Sequence, residues 1–374
     1  MAGIYIHIPY CKQKCSYCNF HFSTDTRSKQ ELVDAICKEA EIRKNELTET
    51  VETIYLGGGT PSLLSSGELE KIFETLYRVF KISARPEVTL EANPDDLSKS
   101  QIQILKATPV NRLSIGIQSF FDEDLKFMNR AHNSNQALSS VKEAQDSGFE
   151  NITIDLIYGG QTTSDEMWEK NLETSLGLKV PHISSYALTI EPKTILAHQI
   201  KAKKIQDIDD SKQQRQFMKL VETLAQNDFL HYEISNFGKA GFLSQHNSSY
   251  WKGIPYLGLG PSAHSYDGQN RSWNIANNTI YINQIKNGVL PLEFEKLSLN
   301  DKFNEMLMIR LRMMEGLSLN EVSENFPTEF LNRLLVEIQP HIDNEMLILK
   351  DGHLHIAKNA LFLSDGIASS LFRI

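Results

Sequence analysis

The chain is predicted to be an α/β protein. Its main body reads as a partial, open (β/α)6 TIM-like barrel, followed by a smaller C-terminal helical, winged-helix-like unit. Three observations carry this reading. Short β-branched runs alternate with stretches of helical period through the first half. Every such run ends in glycine or a polar residue at the same end. Beyond residue 299 the period becomes helical and closes on a hairpin signal.

The strand-like runs are Gly3–Ile8, Thr53–Leu56, Glu87–Glu91, Arg112–Ile117, Asn151–Ile157 and His182–Leu188. Between them lie amphipathic stretches at Lys29–Asn45, Ser66–Phe80, Ser98–Lys106, Asn135–Ser147 and Asp165–Leu178. Alternation of this kind calls for a parallel sheet with crossover helices, and six units are too few to close an eight-unit barrel. From His231 to Tyr266 the chain is rich in Gly, Ser, Asn and aromatics, and is expected to be irregular structure closing over the barrel mouth. Helical period returns at Asn300–Met314, and Met346–Ile356 reads as a hairpin turning at Asp351-Gly352. The expected division is residues 1–235 for the barrel, 236–298 for a cap or connector, and 299–374 for the C-terminal unit.

With 374 residues and four cysteines, the chain can bury a core without disulfides, and a reducing compartment is expected. A net charge of −9 with no Lys/Arg run argues against nucleic acid as a partner. No run reaches the length of a membrane span, and the first strand leaves no room for a signal peptide. The expected location is cytoplasmic.

Three of the cysteines, Cys11, Cys15 and Cys18, fall in the polar loop Cys-Lys-Gln-Lys-Cys-Ser-Tyr-Cys behind the first strand. A structural zinc site takes four protein ligands. Three thiolates in one tight loop suit an iron–sulfur cluster with one iron open to another ligand. Cys37 shares a helical face with Val33, Ile36 and Ala40 and reads as a core thiol.

In parallel α/β folds the site forms at the C-terminal ends of the strands. Here those ends carry the cysteine loop, Gly57-Gly58-Gly59-Thr60-Pro61, Glu91-Ala-Asn93-Pro94, Gln118-Ser119, Asp155 and Tyr186. Tyr5 and His7 share the polar face of the first strand, and His7 reads equally well as a core histidine or as a residue facing the site.

The C-x3-C-x2-C spacing resembles the signature of the radical S-adenosylmethionine (SAM) superfamily. That resemblance implies a 4Fe–4S cluster on Cys11, Cys15 and Cys18, its open iron chelated by SAM. It further implies that Gly57, Gly58, Gly59 and Thr60 form the motif beside the methionine amino group. Glu91, Gln118 and Asp155 suit the ribose hydroxyls and the amino group, Arg130 suits the carboxylate, and Tyr5 and Tyr17 flank the ligand.

Tyr5-Ile-His-Ile-Pro9, Gly57–Pro61, Glu91–Pro94, Gly116-Ile-Gln-Ser119 and Asp155-Leu-Ile-Tyr-Gly159 resemble a narrower branch of that superfamily. It holds the oxygen-independent coproporphyrinogen III oxidases and their sister group, the HemW-type heme chaperones. Two features argue against the oxidase: Phe20 stands where it has a further cysteine, and little chain precedes Tyr5. His246-Asn-Ser-Ser-Tyr250-Trp251 matches a heme motif of the chaperones, and imidazole can ligate heme iron. The alternative is that Tyr250 and Trp251 are core and His246 only hydrogen-bonds. The resemblance implies heme as ligand, an acceptor haemoprotein, respiratory and membrane-associated, as partner, and a homodimer. The competing reading is oxidative decarboxylation of coproporphyrinogen III, and a third is another radical SAM enzyme in which the His246 stretch only caps the barrel.

Overall fold

Six parallel strands stand at the centre of the molecule in chain order, as described by a computed structural model covering residues 1–374. They are β1 (Ala2–Ile8), β2 (Val51–Gly58), β3 (Ile82–Ala92), β4 (Arg112–Gln118), β5 (Asn151–Tyr158) and β6 (His182–Ala187). Around them run α1 (Lys29–Ile42), α2 (Ser66–Val79), α3 (Lys99–Lys106), α4 (Asp122–Phe127), α5 (Ser134–Asp146), α6 (Asp165–Gly177), α7 (Ile195–Lys201) and α8 (Asp210–Ala225). Alternation in β1 sets the layering: Ile4, Ile6 and Ile8 are fully buried in the core, while Tyr5 and His7 line the concave face. Reciprocal capping boxes at Ser65/Glu68 and Asn133/Gln136 start α2 and α5.

The sixth long helix, α8, is absent from the sequence reading. Two of its inward positions are glutamines, which blurs the apolar stripe. Gln216 accepts from the Gly159 amide and Gln213 donates to the Leu188 carbonyl, so both are satisfied inside.

The larger correction concerns His231–Tyr266, expected to be irregular structure over the barrel mouth, and the connector running on to residue 298. They continue the sheet. A hairpin of β7 (Leu230–Glu233) and β8 (Asn236–Gly238) extends it antiparallel beyond β6. After α9 (Gln245–Trp251), β9 (Tyr256–Leu259) pairs parallel with β1 on the other side. Then β10 (His264–Tyr266), β11 (Asn270–Asn274), α10 (Asn278–Lys286) and β12 (Leu292–Lys296) follow, giving one open sheet of 12 strands. The strands are three to five residues long, too short for a period-2 signal to stand out.

This extension is bolted to α1 by a buried ion pair. Glu39 and Arg43 have no exposed side-chain surface and meet at 3.0 Å. Glu39 also accepts from the Gly260 amide, Asn274 Nδ2 and the Tyr281 hydroxyl, while Arg43 donates to the Gly258 carbonyl and Ser265 Oγ. Every polar atom of the pair that faces inward is thus engaged.

The C-terminal unit has its own core, built around Phe303, Leu307, Phe330 and Leu354. It comprises α11 (Leu299–Arg310), β13 (Leu317–Ser318), α12 (Leu319–Asn325), α13 (Thr328–Glu337), α14 (Gln339–Asp343), β14 (Leu347–Lys350), β15 (His353–Ile356) and α15 (Ser364–Ser370). Its three-stranded sheet and helices are winged-helix-like, and the hairpin turns at Asp351 and Gly352, both at positive φ. It meets the main body at Tyr232, whose carbonyl accepts from the Met314 amide, and at α9, whose Trp251 carbonyl accepts from Arg310. No helix is long and apolar enough to cross a membrane.

Candidate functional site

The cysteine loop leaves β1 at the C-terminal rim of the sheet and is pinned to its neighbours. The Ser16 amide donates to the Met128 carbonyl, its own carbonyl accepts from the Leu196 amide, and Lys12 ion-pairs with Asp95 and Asp96. Cys11, Cys15 and Cys18 are all partly exposed and lie close enough to repel one another as thiolates. Burial pushes the Cys11 thiol up to about 11, against a hydrogen bond from Thr60, and burial raises Cys18 as well. No three ligand-type side chains converge on one ion-sized point. A cubane cluster asks for a different layout, one thiolate to each of three irons around a common volume. Phe20, just past Cys18, is exposed.

Arg130 closes the back of this loop. Its Nη1 donates to Cys15 Sγ at 3.3 Å, and its Nη2 donates to the Asn93 side chain and the Gly116 carbonyl. Nε is buried without a partner. A guanidinium with an unmet donor beside the cysteines can receive an anionic group. Tyr17 packs against the small apolar cluster of Leu125, Met128, Ile157, Leu188 and Leu196.

The glycine run is dictated by packing as well as by access. Gly58 sits at φ +105, and a Cβ there would strike the His7 ring. A Cβ on Gly59 would lie 2.7 Å from the Ile8 and Tyr10 carbonyl oxygens. The Gly59 amide donates to Ile8, which locks the motif onto the strand that delivers the cysteines. Thr60 is buried and accepts from Asn93 Nδ2.

Below the rim the concave face is polar. Glu91 accepts from the Tyr55 hydroxyl at 2.7 Å and from the Gly58 amide, and burial raises its carboxyl to about 7. Asp155 accepts from Ser114, and burial, opposed by Arg112, raises it to about 6. Neither has a cation within ion-pairing distance. Two such carboxyls are suited to hydroxyl and ammonium donors. Gln118 is buried and held at φ 66 at the end of β4, an uncommon conformation for a non-glycine residue. The Tyr5 hydroxyl donates to His7 Nδ1, and His7 Nε2 donates to the His21 carbonyl. His7 is thus a buried, satisfied histidine on the concave face.

His246 is elsewhere. α9 plugs the N-terminal end of the concave face, where Glu87 receives the Gln245 and His246 amides. The His246 ring is buried, stacked on Tyr55 at 5.0 Å, with Nδ1 on Thr53 Oγ1 and Nε2 on the Tyr250 hydroxyl, both at 2.8 Å. It lies level with Gly3, five residues and about 16 Å of strand below Ile8 and the cysteine loop. The sequence-picked residues therefore line the rim and the concave face below it, and His246 lies deeper, on the far side of Tyr55 from Glu91.

The chain is similar to known proteins in several ways. A family model described as the radical SAM superfamily matches residues 5–174, and one described as the HemN C-terminal domain matches residues 297–363. A heme chaperone HemW from Bacillus subtilis is 33% identical, covering 97% of this chain and 95% of its own. A HemW from Lactococcus lactis is 32% identical with the same coverage. The chain belongs to the HemW heme chaperone family. The structure of coproporphyrinogen III oxidase (HemN) from Escherichia coli, described as a radical SAM enzyme, has a TM-score of 0.86 and covers 99% of this chain and 90% of its own. At 20% identity that likeness shows the fold. Membership of the HemW family places the chain in the radical SAM superfamily, which implies a 4Fe–4S cluster and SAM. The unmet Arg130 donor, the cluster of thiols and the two buried carboxyls fit those groups.

Tyr55, Glu87, Arg112 and His182 were not singled out from the sequence. Each lies at an every-second position facing the concavity, as Thr53/Tyr55, Glu87/Thr89/Glu91, Arg112/Ser114 and His182/Ser184 show. Polar residues alternating with fully buried Ile and Leu in a central strand were the available signal.

Proposed function

We propose that this protein is a heme chaperone that keeps its cluster for heme handling. The near-full-length match to HemW relatives carries the reading. In it, Cys11, Cys15 and Cys18 hold the 4Fe–4S cluster, and Arg130 receives the SAM carboxylate. The Gly57–Thr60 backbone, Glu91, Gln118 and Asp155 receive its amino and ribose groups, with Tyr5 and Tyr17 lining the volume. Bound SAM and cluster supply redox chemistry. The chain's own contribution is to orient them and to exclude water beneath the rim.

Heme is taken up and passed to an acceptor haemoprotein, respiratory and membrane-associated, by a protein that dimerises and works in the cytoplasm. The motif on α9 marks the heme end. With α9 docked, the His246 ring is buried against Tyr55 and bonded to Thr53, so ligation through His246 requires α9 to leave the sheet and, for Nε2, the ring to give up Tyr250 of the same helix. Heme titration of the cluster-loaded protein and its His246→Ala variant tests this. Affinity lost in the variant supports an opening α9, and unchanged affinity removes His246 as ligand. No binding by the wild type removes the chaperone proposal. Formation of protoporphyrinogen IX from coproporphyrinogen III, SAM and reductant would replace it with the oxidase.

A further inference from the structure

The concave face does not stop at β1. Gly3 pairs with Tyr256 and Tyr5 with Gly258, while Tyr256 pairs with Tyr266, and His264 with Trp273. These residues share the side that carries Tyr5 and His7, because paired residues project to one face. An aromatic strip results. Tyr250 of α9 meets Tyr256 at 4.6 Å, and Tyr256 meets Tyr266 at 6.5 Å. In the next row His264 stacks on Trp273 at 5.7 Å. The strip runs from the docked motif helix to β11, one strand in from the edge strand β12.

His264 differs from the other concave-face histidines. His7, His182 and His246 are buried with both ring nitrogens hydrogen-bonded. The His264 ring is exposed, and its Nδ1 lies 3.1 Å from the Ser262 carbonyl. A carbonyl only accepts, so Nδ1 carries the proton and the Nε2 lone pair is free. An imidazole fixed through Nδ1–H on a carbonyl is the arrangement metal-ligating histidines adopt. Trp273 is fixed in turn, its Nε1 donating to Glu293. Arg271 lies over the Tyr266 ring at 6.0 Å and is held there by Glu305 at 3.0 Å. His353 shares the same Nδ1–carbonyl geometry but lies on the hairpin of the C-terminal unit, with no indole beside it.

We propose that heme docks on the concave face of β9–β11, its iron on Nε2 of His264 and its ring against Trp273. The proposal rests on the heme-handling reading above and names the ligand available while α9 stays docked. It requires no motion of the motif helix, whose Tyr250 borders the same strip.

The test is heme titration of the cluster-loaded full chain, so that the three thiols are not free to bind heme. Wild type, His264→Ala and His353→Ala are compared by absorbance and electron paramagnetic resonance. His264→Ala is expected to weaken heme binding at least tenfold and to lose the imidazole-ligated spectrum. Added imidazole should restore that spectrum, and His353→Ala should match the wild type. Equal cluster loading of the His264→Ala protein reports that it is folded. If the wild type binds heme and His264→Ala keeps both affinity and spectrum, the His264 site is overturned and the chaperone reading stands. If the wild type binds no heme, both fall.

Discussion

Glu39→Ala is expected to be among the most damaging substitutions in the chain, although Glu39 touches no cofactor residue. It removes the only fully buried carboxylate on Arg43 and leaves the buried guanidinium, beside the Gly258 carbonyl, with the half-exposed Glu46 as its one counter-charge. Breaking a buried pair from one side costs about 3–5 kcal/mol, against a typical total stability of about 5–15. The Gly260 amide, Asn274 Nδ2 and the Tyr281 hydroxyl lose their acceptor at the same time. Urea unfolding combined with hydrogen exchange of the amides in residues 256–274 measures the effect where it arises. The expected result is a loss of about 3–5 kcal/mol, with exchange in β9–β11 accelerated before that in β2–β5. Replacing both partners, Glu39→Leu with Arg43→Met, should cost less than the sum of the single changes, because no stranded charge remains. A loss below about 1 kcal/mol for Glu39→Ala, or a double variant worse than additive, would refute the argument that this pair anchors the sheet extension.

Three further outcomes follow from the rim and from α9. Gly59→Ala places a Cβ 2.7 Å from two backbone oxygens that cannot rotate away, so a loss of about 1–3 kcal/mol and poor cluster loading are expected. Normal iron content after anaerobic reconstitution would contradict it. Glu91 titrates at about 7 in the fold, raised by burial from its ordinary 4.5. The folded state therefore holds a proton that the unfolded chain has released, and stability falls as pH rises between about 4.5 and 7. Glu91→Gln should flatten that part of a stability–pH curve, and an unchanged slope would show that Glu91 ionises freely. Arg310→Ala removes the donor on the Trp251 carbonyl and should loosen the end of α9 by about 1.5 kcal/mol. Amide exchange across Gln245–Trp251 reports it, and unchanged protection would mean that Glu87 and Thr53 alone hold the helix.

Much of the rim was legible in the chain because its signals are local. Cys11, Cys15 and Cys18 are eight residues end to end, the glycine run, Glu91 and Gln118 lie at the C-terminal ends of their strands, and Asp155 lies in the second half of β5. Parallel strands with regular crossovers bring all such ends to one side, so spacing and order were enough. The stretch His231–Tyr266 reads as irregular for the opposite reason. Its strands pair with β1 and β6, far away in the chain, and each alone is too short to show its period.

The amino-acid order settled the chemistry of the cysteine loop and the alternation that builds the sheet, because both are written within a few consecutive residues. The place of His246 is a matter of packing. Its partner Thr53 lies 193 residues earlier, and their contact arises only because α9 folds under the N-terminal end of β1 and β2. The same holds for His264, whose free nitrogen depends on a carbonyl two residues back and whose aromatic neighbour comes from the adjacent antiparallel strand. Motif spacing states which groups a chain owns. Burial and hydrogen bonding, set by contacts across hundreds of residues, state which of them are free to act.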